Sequence, residues 1–475
     1  MPQRLPWGLG IAVLLAVAAP AARAGAPAAG RAEARDLGAV GDGKFLNTEV
    51  LNRAISILSR SGGGTLHFSA GVYRTGTLYL KSGVTLYLEP GATILGSTQL
   101  ADYPENPPPR PTNRLEFGRY ALISAEGQHD VGIAGRGRID GQGSNPNFSK
   151  KDLIARGWLP VDAYLKRPYG LSFVHCRGVS VRDVALADLG FWCEDYLDCD
   201  NVAVVGVTVD SWKPDWNNDG IDIDGCRNVR VSGCSFRSGD DAICLKASYR
   251  DCEGVTVTNC TASSLANGIK LGTASNGGFR NIAISNIALD GVQESGITLE
   301  IVDGGTLDGV TVQNIAMRNV TAAIFVRLGN MARSWTQGAG KPGVGVLRNV
   351  VISDIVAELS PRGKPSTGGS ITGLPGHPVE NVSIGNVRIA LRGPAPPGAR
   401  IDPRRVPEAE AHYPEHSMFG PLPAYGLYVR HVRGLALHNV VVTGGGSDGR
   451  PCVIFDDVGE LDVDGLRPPS TVTLP

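Results

Sequence analysis

The chain repeats itself, and a fixed period in the twenties confines it to a solenoid. A short β-branched strand, a turn and a second short strand recur in CRGVSVRDVALADL from Cys176, CDNVAVVGVTVDS from Cys199, CRNVRVSGCSFRS from Cys226 and CEGVTVTNCTASS from Cys252. The unit returns from Phe279, Leu307, Leu347, Val379 and Val432. The first five starts lie roughly 23 to 28 residues apart, the length of a β-helix coil with three strands and their turns. Later gaps are wider, so those coils carry inserted loops. The expected fold is all-β, a parallel β-helix.

A second set of strands runs in step with the first. Asp219-Gly220-Ile221-Asp222-Ile223, Asp241-Ala242-Ile243-Cys244-Leu245, Asn267-Gly268-Ile269-Lys270-Leu271, Ser295-Gly296-Ile297-Thr298-Leu299 and Ala322-Ala323-Ile324-Phe325-Val326 share one pattern. If equal positions stack, successive coils lie about 4.8 Å apart. Asp219 and Asp241 become vertical neighbours, with Asp240 one residue away. Strand side chains alternate, so Ile221, Ile243, Ile269 and Ile297 point inward while Asp222, Lys270 and Thr298 point out. The next outward row is expected to hold Asp224, Lys246, Glu300 and Arg327. Three clustered carboxylates on one polar face point to glycosidic chemistry or a bound metal. As a turn device, which Asp also serves, three acids flanked by glycines explain less.

The remaining features suit an exported enzyme. The 63 glycines and few aromatics fit short strands joined by tight turns. A net charge of −1 without a basic run speaks against nucleic-acid binding. Residues 1–24, with Arg4, the apolar Leu9–Ala19 stretch and Ala22-Arg23-Ala24, read as a signal peptide cleaved before Gly25. The apolar stretch falls short of the roughly 20 residues needed to span a bilayer, so the protein is expected to be secreted or periplasmic, without a membrane partner. Residues 25–100 read as an N-terminal cap with the first coils, and 101–470 as the catalytic β-helix, one structural unit with them. In the cap, Asn47 or Thr48 could start a helix carrying Leu51, Ala54, Ile55 and Leu58 on one face. Most of the nine cysteines occupy core positions of the repeat, leaving at most one disulfide, involving Cys193 and Cys199. No spacing resembles a zinc site, and neither metal nor cofactor is expected.

Taken together, DLGAVGDGK, SGGGTLHFSAGVYRTGTLYLKSGVTLYLEPGATILGS, GRGRIDGQG from Gly135, NNDGIDIDG from Asn217, SGDDAICLK from Ser238 and YPEHSMFGPLPAYGLYVRHV from Tyr413 resemble the polygalacturonase-like enzymes of glycoside hydrolase family 28. The resemblance covers nearly all of the chain after residue 24. It implies a right-handed parallel β-helix and inverting hydrolysis of a glycosidic bond in pectin. By position, Asp240 matches the general acid, and Asp219 and Asp241 match the pair that activates water. Independently, crowded like charges keep at least one carboxyl protonated near neutral pH, giving one acid and one base. Asp219 and Asp241, one coil apart, are too close for the usual acid/base pair of an inverting enzyme, and read better as two acceptors sharing the attacking water.

The chain departs from that family at two elements. Ala266-Asn267-Gly268 stands where a Gly-His-Gly is expected, and Thr298-Leu299-Glu300 where an Arg-Ile-Lys is expected. Two cations for a galacturonate carboxylate are thereby missing, and Glu300 would repel one. Lys246, Lys270 and Arg327 could replace them or be solvated cations on a solenoid face. Asn217, Asn267, Lys270, Asp222, Lys246, Glu300 and Arg327 are the candidate substrate-binding residues. Asn267 could instead join an asparagine ladder with Asn259, Asn286 and Asn314. Trp192, Trp212 and Trp216 could stack on sugars or pack loops, and His412, His416 and His431 read as loop packing rather than cleft lining.

Three functions fit: a metal-independent hydrolase of plant cell-wall polysaccharide, of galacturonan or rhamnogalacturonan type and with an exo-acting variant in play; a calcium-dependent polysaccharide lyase; and a non-catalytic carbohydrate-binding β-helix. The first accounts for all three aspartates, and a monomer is expected.

Overall fold

The computed structural model describes residues 30–106, 120–212, 217–360, 367–392, 402–444, 448–469 and 471–474. The expected signal peptide and Trp216 lie outside them. The chain winds into a parallel β-helix in which each strand pairs with its counterpart one coil away. One ladder carries the polar face: Glu194–Leu197, Ile221–Asp224, Ile243–Ala247, Ile269–Ser275, Ser295–Ile301 and Ala322–Leu328. Ile221, Ile243, Ile269, Ile297 and Ile324 stack in register and are almost fully buried. Beside this apolar row Asp222, Cys244, Lys270, Thr298 and Phe325 form the first outward row.

The next outward row differs from the sequence expectation. Asp224 pairs with Lys246, and Glu300 with Arg327, but a register shift between Leu245 and Ala247 separates the two pairs. Asp224 turns to Ser248, accepting from its backbone N–H at 2.8 Å and from its hydroxyl at 2.6 Å.

From Cys252 onward the other two strands of each coil fuse into one bent strand, as in Gly278–Val292 and Thr306–Val320. The bend needs a left-handed residue, and asparagine supplies it at Asn259, Asn286 and Asn314, with φ of 57°, 58° and 55°. Their amides ladder from coil to coil, Asn286 donating to Asn259 at 3.1 Å and Asn314 to Asn286 at 2.7 Å. Asn267 lies outside this ladder.

The helix Thr48–Arg60 forms where expected and buries Leu51, Ala54, Ile55 and Leu58 against the first coils. Asn47 occupies the N-cap position, yet its amide serves the preceding turn, accepting from Val40 N–H at 2.7 Å and donating to Val40 O at 2.9 Å. One apolar column runs from Ala32 to Leu466. All nine cysteines are buried free thiols, so Cys193 and Cys199 form no disulfide. Cys176, Cys199 and Cys226 stack as core rungs, each of the first two offering its N–H to the next thiol at 3.4 and 3.3 Å.

Candidate active site

The polar face opens into a pocket of about 270 Å³ lined by Trp192, Asn217, Asp219, Asp240, Asp241, Lys246, Lys270, Thr273, Ala274, Arg333, Trp335 and Tyr413. Coil stacking creates it: Gly220 N–H donates to Asp241 O at 2.8 Å, which sets Asp219 one coil from Asp241. One carboxylate oxygen from each of Asp219, Asp240 and Asp241 lies within 4.8 Å of the others.

The three carboxyls are held differently. Asp240 accepts from Asn217 N–H at 2.7 Å and from Asp241 N–H at 3.0 Å. Burial and then the neighbouring Asp241 charge outweigh those bonds and raise its pKa. Burial also pushes Asp241 up, but Lys270, Lys246 and the Asn267 amide overcome it and hold its carboxyl below the usual range. Lys270 Nζ lies 3.0 Å from Asp241 Oδ2, and Asn267 Nδ2 donates to Oδ1 at 2.8 Å. Asp219 is pushed well up by burial and by the charges of Asp222 and Asp240. The two carboxyls expected to share the attacking water are thus biased in opposite directions, Asp241 toward the ionised form and Asp219 toward the protonated one.

The candidate binding residues divide by position. Asn217, Lys246 and Lys270 line the pocket; Asp222, Asn267, Glu300 and Arg327 do not. Asp222 pairs with Lys246 Nζ at 2.6 Å, and the same ammonium stands 3.7 Å from Asp219 and 4.7 Å above the Trp192 ring. Asn267 is a bridge. Besides holding Asp241, it accepts from Ser295 N–H at 3.2 Å and Thr298 Oγ1 at 3.0 Å. Glu300 is fully buried against Gly272, where a Cβ would come within 2.7 Å of its Oε2. Burial lifts its pKa well above the usual value, which weakens the expected repulsion of a substrate carboxylate, and Glu300 is not among the residues lining the pocket. Arg327 faces away, donating to Gly373 O at 3.1 Å and Glu408 O at 2.6 Å beneath Phe419. The inserted segment after Thr372 draws it there.

Sequence reasoning missed the far wall. Arg333 is clamped by fully buried Asp303, through Nε at 2.9 Å and Nη2 at 2.7 Å. Its Nη1 has no hydrogen-bond partner among the described residues, and its guanidinium stacks 4.7 Å from the Trp335 ring. The Trp335 backbone N–H donates to Asn276 Oδ1 at 2.8 Å. The signal for this wall was the widened gap between the Leu307 and Leu347 repeats, which marks the insertion carrying it. Tyr413 comes from a second insertion, its hydroxyl 3.4 Å from Lys270 Nζ. Trp192 lines the pocket while packing on Phe191 and Tyr169. Trp212 lies under Arg237 instead. His412, His416 and His431 stay out of the pocket, with His431 paired to Asp457 at 2.6 Å and Glu408 at 3.2 Å.

The family model for glycosyl hydrolases family 28 matches residues 93–401, more than half of the chain. The chain belongs to glycosyl hydrolases family 28. Among its relatives, a probable polygalacturonase of Vitis vinifera is 31% identical over 222 residues, 45% of this chain and 44% of the relative. An exo-poly-alpha-D-galacturonosidase of Dickeya chrysanthemi is 29% identical over 246 residues, 43% of this chain and 40% of the relative. The family 28 chain thus spans less than half the length of either relative. A solved family 28 exopolygalacturonase from Yersinia enterocolitica shares the fold, with a TM-score of 0.67, 20% identity and coverage of 92% of this chain and 78% of that one. So does the Streptococcus pneumoniae surface protein and adhesin PfbA, with a TM-score of 0.55, 14% identity and coverage of 93% and 97%. No helix among the described residues is long and apolar enough to cross a membrane.

Proposed function

We propose that this family 28 chain is an exported hydrolase of pectic polysaccharide, with Asp240 as general acid, Asp241 as the base that activates water, and Asp219 as a second group oriented on that water. The carrying observation is the opposed behaviour of adjacent carboxyls. Asp240 is biased toward its protonated form and Asp241 toward its ionised form, which supplies one acid and one base in a single pocket. Asn267 positions Asp241, and Lys270 keeps it charged.

The substrate reading is a pectic chain with a neutral sugar at the cleaved bond, as in rhamnogalacturonan. Lys270, Lys246 and Arg333 are each engaged by a carboxylate, at 3.0, 2.6 and 2.7 Å, and the Arg333 Nη1 is the guanidinium donor that remains for a uronate. The inserted walls carrying Arg333 and Tyr413 favour attack at a chain end. Against a calcium-dependent lyase, the Lys246 ammonium already lies between Asp222 and Asp219, where a bridging cation would stand.

Product analysis on polygalacturonate, rhamnogalacturonan and xylogalacturonan tests this reading, with wild type beside Asp240→Asn. Saturated short products made by wild type and lost in the variant support it. Unsaturated products would establish the lyase, and no cleavage of any pectic chain would sink the assignment.

A further inference from the structure

The strap bearing Tyr413 meets the solenoid again at Glu415 and His416. There it faces Glu294, in the turn between Gly278–Val292 and Ser295–Ile301. One ligand-capable atom from each of Glu294, Glu415 and His416 lies within 4.8 Å of the other two. His416 is 4% exposed. Its Nδ1 is 2.8 Å from Glu294 Oε2, yet neither imidazole nitrogen makes a hydrogen bond among the described residues, so that contact has the distance of a hydrogen bond without its direction. Glu415 Oε2 is likewise buried without a hydrogen bond among the described residues. Buried polar atoms are nearly always satisfied, and here the unsatisfied ones converge.

We propose that Glu294, Glu415 and His416 bind a divalent transition-metal ion of the zinc class. One imidazole nitrogen with two carboxylate oxygens suits zinc, whereas calcium takes six to eight oxygen ligands. Zinc–ligand distances of about 2.0–2.2 Å place ligand atoms roughly 3.5 Å apart, so small side-chain rotations close the site and leave a fourth position for water. The two sides of the site come from different coils, which is why no sequence spacing announced it. The ion tethers the strap and thereby holds Tyr413, two residues before Glu415, against Lys270. It positions the pocket wall and takes no part in bond cleavage.

The site is independent of the hydrolytic reading, because its test reads metal rather than turnover. Metal-free full-length protein is titrated with zinc chloride by calorimetry, and Tm is measured with and without one equivalent of zinc, for wild type, His416→Gln and Glu415→Gln. Wild type is expected to take one zinc per chain and gain several degrees in Tm. Each variant is expected to keep the metal-free Tm while losing at least tenfold in affinity, and zinc should slow proteolysis of the strap only in wild type. Folded wild type that takes up no zinc, or variants that bind it as wild type does, overturn the proposal. Should one variant fail to fold, the other reads the same affinity.

Discussion

At the scale of single residues, the pocket is a balance of two ammonium groups against several buried carboxyls, and that balance sets the expected pH response. The proposed mechanism needs Asp240 protonated and Asp241 ionised, so kcat/KM should fall as pH rises through the Asp240 pKa and fall again as pH drops through the Asp241 pKa. Replacing Asp240 by Asn should lower kcat by about 10²- to 10⁴-fold with the thermal transition unchanged. Lys270 is the largest influence holding Asp241 down. Lys270→Met therefore raises the Asp241 pKa, and the acid limb of the pH–rate profile should move to higher pH; an unmoved limb would remove Lys270 from this role. Arg333 belongs to the same scale. Arg333→Gln should weaken binding of uronate-bearing oligosaccharides about ten- to a hundredfold, the worth of a hydrogen bond to a charged group, and should also lower the thermal transition, because fully buried Asp303 loses its two-bond partner. Affinity measured on Asp240→Asn, which binds without turnover, reads this directly.

At the scale of elements, the same repeat that makes the strands legible also fixes where the bends fall. Asn286 combines a φ of 58° with ladder bonds on both sides. Asn286→Ala should cost about 1–2 kcal/mol in urea unfolding, from a left-handed residue with a Cβ and the lost amide bonds. Asn286→Gly keeps the backbone easy and loses only the ladder, so it should cost less. The order reversed would mean that the bend is not held by backbone conformation. The inserted segments obey no such rule. The stretch with Arg333 and Trp335 and the strap with Tyr413 follow no repeat, and their side chains reach the pocket through contacts with Asn276, Asp303 and Lys270 that belong to other coils. Periodicity could mark that something was inserted there, and nothing more.

At the scale of the whole molecule, a continuous apolar column through stacked coils predicts one cooperative thermal transition for the described body. Ile243→Ala, in the middle of the buried isoleucine row, should destabilise that transition by about 2–5 kcal/mol; separate transitions for the two ends would show that the coils fold as independent blocks. The sequence alone determined the coil, the inward isoleucine row and the meeting of Asp219, Asp240 and Asp241, because stacking at a constant period converts equal sequence positions into spatial neighbours. It also marked the cysteine rungs and the buried face of the helix Thr48–Arg60. Tertiary structure decided what periodicity does not encode. A register shift after Leu245 parted Lys246 from Glu300, the chain beyond Thr372 drew Arg327 away, and Lys270 with Asn267 biased Asp241 toward its ionised form. Those outcomes depend on burial and on charges brought from separate coils and loops, and such distances exist only once the chain has folded.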